Sequence, residues 1–140
     1  MGVAMKASVK WLGNAAFEAE TGSGHTLVMD GPADAGGENR GPRPMEMLLL
    51  GTAGCSAFDV VHILQRGRHP VADCQVRVEA ERAEQPPKVF TRIHLHFQVA
   101  GEGLSEKAVA RAVQLSAEKY CSASIMLSKA AKVTHSHELV

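Results

Sequence analysis

Apolar and polar residues alternate one by one through two segments in the middle of the chain, residues 73–81 and 89–99. This period of two is typical of a strand that has one buried face and one solvated face. The intervening Gln-Pro-Pro-Lys sequence favours a turn, so we expect an antiparallel hairpin. Short alternating segments bounded by glycine-containing turns predict three further strands near the N terminus: residues 6–12, 15–20 and 26–30.

A different pattern predicts a long helix over residues 44–66, where apolar residues occur on every side. Proline is favoured at the first helical position, and Glu46 lies in the first turn, where the helix dipole favours negative charge. A helix that is apolar all round is normally buried. Asp59 and His62 are its polar exceptions, and they need partners if they are buried.

The last third of the chain predicts two helices and a strand. Ser105 is a suitable N-cap for a helix that extends to Tyr120, a shorter helix covers residues 123–129, and the strand covers residues 133–140. The order of elements predicts an α+β fold in which antiparallel strands pack with a long buried central helix and C-terminal helices. A chain of 140 residues corresponds to a single domain, here residues 1–140.

The apolar helix also predicts self-association, since one chain of this length has too few layers to cover it on every side. A second copy would supply the cover, so we expect a homodimer. Glu46 lies nine positions before Cys55, which is half a turn out of phase and roughly 13 Å along the helix axis. Glu46 can therefore approach Cys55 only across an antiparallel pair of helices related by a two-fold axis.

Composition narrows the possible partners. The formal net charge is zero and no basic segment stands out, which argues against binding to nucleic acid or to anionic lipid. No apolar run reaches the ~20 residues of a membrane helix, and residues 1–10 do not resemble an export signal. Three cysteines without such a signal indicate the reducing cytoplasm, where paired cysteines are more often catalytic or redox-sensing than structural.

The cysteines are the main candidates for chemistry. Cys55 lies within the apolar helix, and Cys121 directly follows the predicted end of the helix that begins at Ser105. The two could be a redox pair or two inert core thiols, because free cysteine often packs as a small hydrophobe. Cys74, at an inward strand position, is expected only to pack. We expect no metal site at the paired strand histidines, which are assigned to solvated faces: His94 with His96, and His135 with His137.

Several segments resemble the OsmC/Ohr family of thiol-dependent hydroperoxide reductases. They are Pro44-x-Glu46-x-x-Leu49-x-Gly51-x-Ala53-x-Cys55, the loop before it, and Ala117-Glu118-Lys119-Tyr120-Cys121. The resemblance implies an intertwined homodimer without a cofactor, in which Cys55 is the peroxidatic thiol and Cys121 the resolving thiol. It also implies an organic hydroperoxide or another small apolar ligand, bound in a pocket of Leu, Met and Phe side chains, and a dithiol as reductant.

One departure from the family pattern keeps other functions open. Family members lower the pKa of the reactive thiol with an arginine from an early hairpin, held by a glutamate, but residues 12–21 contain no arginine. Arg40 and Arg43, in the loop before the helix, are the nearest substitutes, and Glu46 is the candidate acid. An unactivated buried thiol is a poor nucleophile. The alternatives are a small-molecule binding or redox-sensing protein with little or no peroxidase turnover, and a thiol enzyme that acts on another electrophile.

Overall fold

The computed structural model describes Gly2 and residues 4–140, which form two compact units. The first unit ends at Leu48, and the second is Leu49–Val140. The chain combines mostly antiparallel strands with one long helix and shorter C-terminal helices. The α+β class predicted from the sequence is therefore confirmed.

The first unit contains three strands: β1 is Ala7–Gly13, β2 is Ala16–Thr21 and β3 is Thr26–Met29. They form an antiparallel sheet in the order β1-β2-β3. Asn14 lies between the first two strands in a left-handed backbone conformation, with a φ of 47°, as tight hairpin turns require. The predicted strands and their first turn are confirmed.

The loop that follows β3 is organised around one buried carboxylate. Asp30 accepts hydrogen bonds from the backbone N–H groups of Gly31, Glu38 and Arg40, at 2.8, 2.9 and 3.1 Å. The bond from Glu38 is the main cause of a lowered Asp30 pKa, followed by the bond from Arg40. Glycine and proline content predicts this loop, but it does not predict which residue holds it in place.

Helix α1, Pro44–Arg66, has the predicted bounds and continues from the first unit into the second. Several apolar side chains of α1 are exposed in the single chain, including Leu50 (60% exposed) and Phe58 (68% exposed). One chain therefore covers only one face of α1, as expected from its length, and burial of the remaining surface in a dimer stays a prediction. The buried residues form a stripe with a spacing of four: Thr52, Ser56, Val60 and Leu64.

By length and composition alone, α1 could also cross a membrane, since an 18-residue window of it has a mean hydropathy of 1.7. On this measure α1 is more apolar than the sequence analysis allowed. A single helix of this kind is weak evidence for a membrane span, because the core helix of a soluble protein passes the same test. The ionisable side chains of Asp59 and His62 interrupt its apolar surface.

The second unit is built on a sheet of three strands: β4 is Asp73–Arg82, β5 is Phe90–Ala100 and β6 is Lys132–Leu139. β4 and β5 form the predicted antiparallel hairpin. β6 pairs with β5 in parallel, which its sequence pattern did not indicate. The core of this unit combines residues of α1 and β5 with residues of the segment that follows them: Val60, Leu64, Leu95, Phe97, Val99, Leu104, Val109, Ala112 and Val113.

Helix α2, Glu106–Leu115, begins where the sequence predicts. The side-chain oxygen of Ser105 accepts a hydrogen bond from the N–H of Ala108 at 3.2 Å, which satisfies one of the free donors of the first turn. Val109, Ala112 and Val113 lie on the buried face of α2, so its amphipathic pattern is also confirmed.

A single π-helical turn, Ser116–Tyr120, follows α2 without a break, and helix α3, Ser122–Leu127, comes next. In the π turn the N–H of Cys121 donates to the carbonyl of Ser116 at 2.8 Å. The apolar period predicts one regular helix to Tyr120, so the wider turn is a difference from the expectation. It changes the position of Cys121 relative to α2, and such turns are frequent at functional sites.

The strand histidines occupy two different faces of the β4-β5-β6 sheet. His94 and His96 form hydrogen bonds with hydroxyl groups of β6 at 2.6 to 2.8 Å. The ring of His135 stacks on that of Phe97 with centroids 6.2 Å apart, and burial lowers the pKa of His135. The solvated face predicted for His135 is wrong, because the pairing of β6 with β5 turns this residue towards the core.

Candidate active site

Two thiols far apart in the sequence lie side by side in the second unit. Cys55 is on α1, Cys121 ends the π turn, and their sulfur atoms are within 4.8 Å of each other. Cys121 is fully buried, Cys55 is half-buried, and neither is in a disulfide. A disulfide requires sulfurs about 2.05 Å apart, so both thiols are in the reduced state here. Cys74 belongs to β4 and is not part of this group.

Asp59 is a third member of the site that the sequence analysis did not assign to it. Its carboxylate lies within the same 4.8 Å of both sulfurs and accepts a hydrogen bond from the hydroxyl of Ser116 at 3.4 Å. Burial raises the pKa of Asp59. The signal in the sequence is the spacing, because residues four apart on a helix lie on the same face, as Cys55 and Asp59 do.

Hydrogen bonds surround the buried sulfur of Cys121. It lies 3.0 Å from the hydroxyl of Ser56 on α1 and accepts a bond from the backbone N–H of Ser124 at 3.4 Å. The Ser124 hydroxyl is also buried, and within the described residues it has no hydrogen-bond partner of standard geometry. The first turn of α3 therefore places hydrogen-bond donors beside the Cys121 sulfur, directly after the π turn.

The two thiols have opposite electrostatic environments. Burial raises the pKa of Cys55, and the negative charges that Cys121 and Asp59 can carry raise it further, against a hydrogen bond from the N–H of Ala123. Burial also opposes the charge on Cys121, but hydrogen bonds from Ser124 and Ser56 outweigh it and lower the pKa of Cys121. Cys121 is therefore the thiol that ionises first, and Cys55 is the one that solvent reaches.

A cavity of about 570 Å³ opens beside the pair in the same unit. The Leu, Met and Phe lining that the resemblance implied is mostly absent from it, since four of its six lining residues are ionisable. Asp59 connects the cavity to the thiols, because it lines the cavity and its carboxylate also lies within 4.8 Å of both sulfur atoms. The lining residues are Asp59, His62, Ile63, Arg66, Leu115 and Tyr120.

The other predicted site residues lie in the first unit and are engaged with their own surroundings. Glu46 accepts a hydrogen bond from the backbone N–H of Arg43 at 2.7 Å, which caps the start of α1. The guanidinium group of Arg43 donates to the side chain of Asn39 and to the carbonyl of Gly41, each at 3.2 Å. The backbone of Arg40 binds the Asp30 carboxylate. The roles predicted for these three residues at the thiol remain predictions.

We expect the Asp59→Asn variant to alkylate Cys55 at lower pH than the wild type does. The negative charge of Asp59 raises the pKa of Cys55, so a neutral amide of similar size should lower that pKa. The measurement is the pH dependence of iodoacetamide labelling at each cysteine, resolved by peptide mass spectrometry. Asp73→Asn is the matched control, because Asp73 acts on Cys74 and should leave the Cys55 curve in place. An unchanged Cys55 curve in Asp59→Asn would refute the coupling.

Comparisons with known proteins agree with this arrangement of elements. A family model described as OsmC-like protein matches residues 36–136. The chain is 52% identical to protein YhfA of Escherichia coli K12 over 136 residues, which cover 97% of this chain and 98% of YhfA. The family model and this identity confirm the resemblance to the OsmC/Ohr family that the segments around Cys55 carry.

Solved structures extend the similarity to the fold. A crystal structure of a hypothetical protein from Aquifex aeolicus has a TM-score of 0.86 at 32% identity and is covered to 98%, with all of this chain matched. An organic hydroperoxide resistance protein OsmC from Legionella pneumophila shares the fold, with a TM-score of 0.70 at 21% identity and 97% coverage of each chain. From the family model and the extent of identity to YhfA, the chain belongs to the OsmC family.

Proposed function

We propose that the chain is a thiol-dependent peroxidase that reduces organic hydroperoxides through Cys55 and Cys121. One observation carries the proposal: two free thiols from distant segments lie within 4.8 Å of each other, one of them half-buried and the other buried. The fold shared with a hydroperoxide resistance protein supports the same chemistry. A nearby cavity lined in part by Ile63 and Leu115 would favour an alkyl hydroperoxide over hydrogen peroxide.

The reaction can be written with these two sulfurs alone. Cys121, when ionised, takes the proton of Cys55 as the Cys55 sulfur attacks the terminal peroxide oxygen. The S–O bond forms as the O–O bond breaks, and the Cys121 thiol gives the same proton to the departing alkoxide, which leaves as the alcohol. Cys121, a thiolate again, then attacks the sulfur of the sulfenic acid at Cys55, so that the disulfide forms and the hydroxide released takes a proton from solvent to become water. A dithiol reductant restores both thiols by exchange and is itself oxidised to a disulfide.

A homodimer is the second part of the proposal. The exposed face of α1 carries Leu50 and Phe58, and the space around Gly51 and Gly54 is open within the single chain. Exposed apolar surface of this kind marks an interface. Glycine at such positions lets a second helix approach closely. A second copy of α1 would cover this face in an intertwined, cytoplasmic, single-domain protein.

The dimer also gives the first-unit residues a role. In an antiparallel pair of α1 helices, Glu46 and the loop arginines of one subunit would approach Cys55 of the other. Arg43→Met should then shift alkylation of Cys55 to higher pH, because an opposite charge near a thiolate lowers its pKa. Arg111→Met, an exposed change on α2, is the matched control. If neither Arg43→Met nor Arg40→Met shifts the curve, the loop arginines do not activate the thiol.

A binding or redox-sensing protein is the second candidate. It is favoured by the raised pKa of Cys55, for which burial is the main cause and to which Cys121 and Asp59 add, against the hydrogen bond from the N–H of Ala123. Such a protein would keep the cavity and the thiol pair but would turn over slowly.

Steady-state consumption of cumene hydroperoxide, with dithiothreitol as the reductant, separates the two functions. We expect saturable turnover that is faster than with hydrogen peroxide, and Cys74→Ser should retain it because Cys74 lies outside the pair. A single stoichiometric oxidation without turnover would favour the sensor. No oxidation at all would favour the binding protein.

A further inference from the structure

We propose that the reduced protein binds a thiophilic divalent cation, of which Zn²⁺ is the type, through Cys55, Cys121 and Asp59. Within the described residues, these three form a group of ligand atoms that all lie within 4.8 Å of one another. Two sulfurs and one carboxylate oxygen form a ligand set that zinc accepts. The site requires only that both thiols be reduced, so it does not rest on peroxidase turnover.

The distances suit a tetrahedral ion. Zn–S bonds of about 2.3 Å and Zn–O bonds of about 2.0–2.2 Å place ligand atoms of a tetrahedral site roughly 3.5–3.8 Å apart. The three ligand atoms here lie within 4.8 Å of one another, so rotation of the side chains can bring them to the tetrahedral spacing. Cys55 and Asp59 lie on one face of the same rigid helix, so these two ligands are positioned before the ion binds. The third ligand, Cys121, lies at the end of the π turn.

Two of the three ligands, Cys121 and Asp59, already have supporting hydrogen bonds, as ligands of zinc usually do. Cys121 has the Ser56 hydroxyl at 3.0 Å and the Ser124 N–H at 3.4 Å. Asp59 accepts from the Ser116 hydroxyl at 3.4 Å. The buried Ser124 hydroxyl, which lacks a standard hydrogen bond among the described residues, is a further donor for a metal-bound thiolate.

Among the residues that the structure describes, three side chains converge, so a fourth coordination position remains for a water molecule or another small ligand. Asp59 also lines the cavity of about 570 Å³, on the side where His62 lies. Three protein ligands and one open position are the pattern of zinc sites that bind exchangeable ligands. Binding would release a proton from each thiol that is protonated, and it would exclude disulfide formation as long as the ion is bound.

Cobalt(II) titration of the reduced, desalted protein under nitrogen tests the proposal directly. We expect one Co²⁺ per chain with thiolate-to-cobalt charge-transfer absorption, which one equivalent of Zn²⁺ abolishes. Cys55→Ser, Cys121→Ser and Asp59→Asn should each weaken binding by about 100-fold or more, since even supporting residues are typically worth 10–100-fold. Cys74→Ser removes a thiol outside the group and should bind like the wild type.

A second measurement uses unmodified protein, so misfolded variants cannot decide the outcome. Wild-type protein oxidised with diamide should lose the cobalt spectrum and regain it after reduction. Saturation that fails to reach one ion per chain, binding that survives oxidation, or equal loss in Cys74→Ser would each overturn the site. Peroxide turnover is assayed separately in metal-free protein. Turnover without metal binding refutes this inference alone, and metal binding without turnover refutes only the proposed function.

Discussion

We expect Cys55→Ser to lose all consumption of organic hydroperoxide above the rate of the uncatalysed reaction. A serine hydroxyl is not ionised at neutral pH and lacks the nucleophilicity of sulfur, so the O–O bond has no attacking group. Cys121→Ser should instead react once and stop, leaving a sulfenic acid at Cys55 that dimedone labels. Both substitutions preserve size closely, and Cys74→Ser is the control for loss of a thiol elsewhere in the same unit.

The pair of variants also tests which sulfur attacks. Cys121 ionises more easily, but it is fully buried, whereas Cys55 is half-buried. If Cys55→Ser still formed a dimedone adduct at Cys121, the order of the two thiols would be the reverse of the proposal. If both variants kept full turnover, the thiols would be structural.

The second large effect concerns assembly. We expect the wild type to sediment at twice the 14.9 kDa mass of one chain, with no stable folded monomer at micromolar concentration. Leu50→Glu should abolish the dimer, because it places a carboxylate in an apolar interface at a cost of several kcal/mol per charge. Because a two-fold interface contains residue 50 of both subunits, each dimer bears this cost twice.

Val89→Glu is the matched control for this change. Val89 is another exposed apolar residue (48% exposed), but it belongs to the turn between β4 and β5 and not to α1. Its variant should remain dimeric. Wild-type protein that persists as a folded 14.9 kDa species on dilution, or a Leu50→Glu variant that dimerises like the wild type, would contradict the proposed interface.

The sequence predicted those features that depend on local pattern. The bounds of α1 follow from its proline start and its apolar run, the β4-β5 hairpin follows from strict alternation, and Ser105 caps α2 as expected. The π turn before Cys121 was not predictable, since one wider turn barely changes the apolar period. The parallel pairing of β6 was not predictable either, because alternation defines a strand's faces but not its neighbour.

The candidate site, like the fold, was predictable from the sequence only in part. Resemblance to a family suggested that Cys55 and Cys121 act together, and no spacing rule could have joined two segments so distant in the chain. Asp59 was visible only as a polar residue that needs a partner, and its partner, Ser116, lies in the π turn that the pattern missed. The pKa order of the two thiols depends on buried hydrogen bonds from Ser56 and Ser124, which exist only after the chain has folded.

The most direct test of the thiol pair is peptide mapping of the protein after one equivalent of cumene hydroperoxide. Non-reducing digestion and mass spectrometry would identify each cysteine as a thiol, a disulfide or an oxidised acid. The proposal predicts the loss of two thiols per chain, a Cys55–Cys121 disulfide and a free thiol at Cys74. Oxidation spread over all three cysteines, or none at any of them, would contradict it.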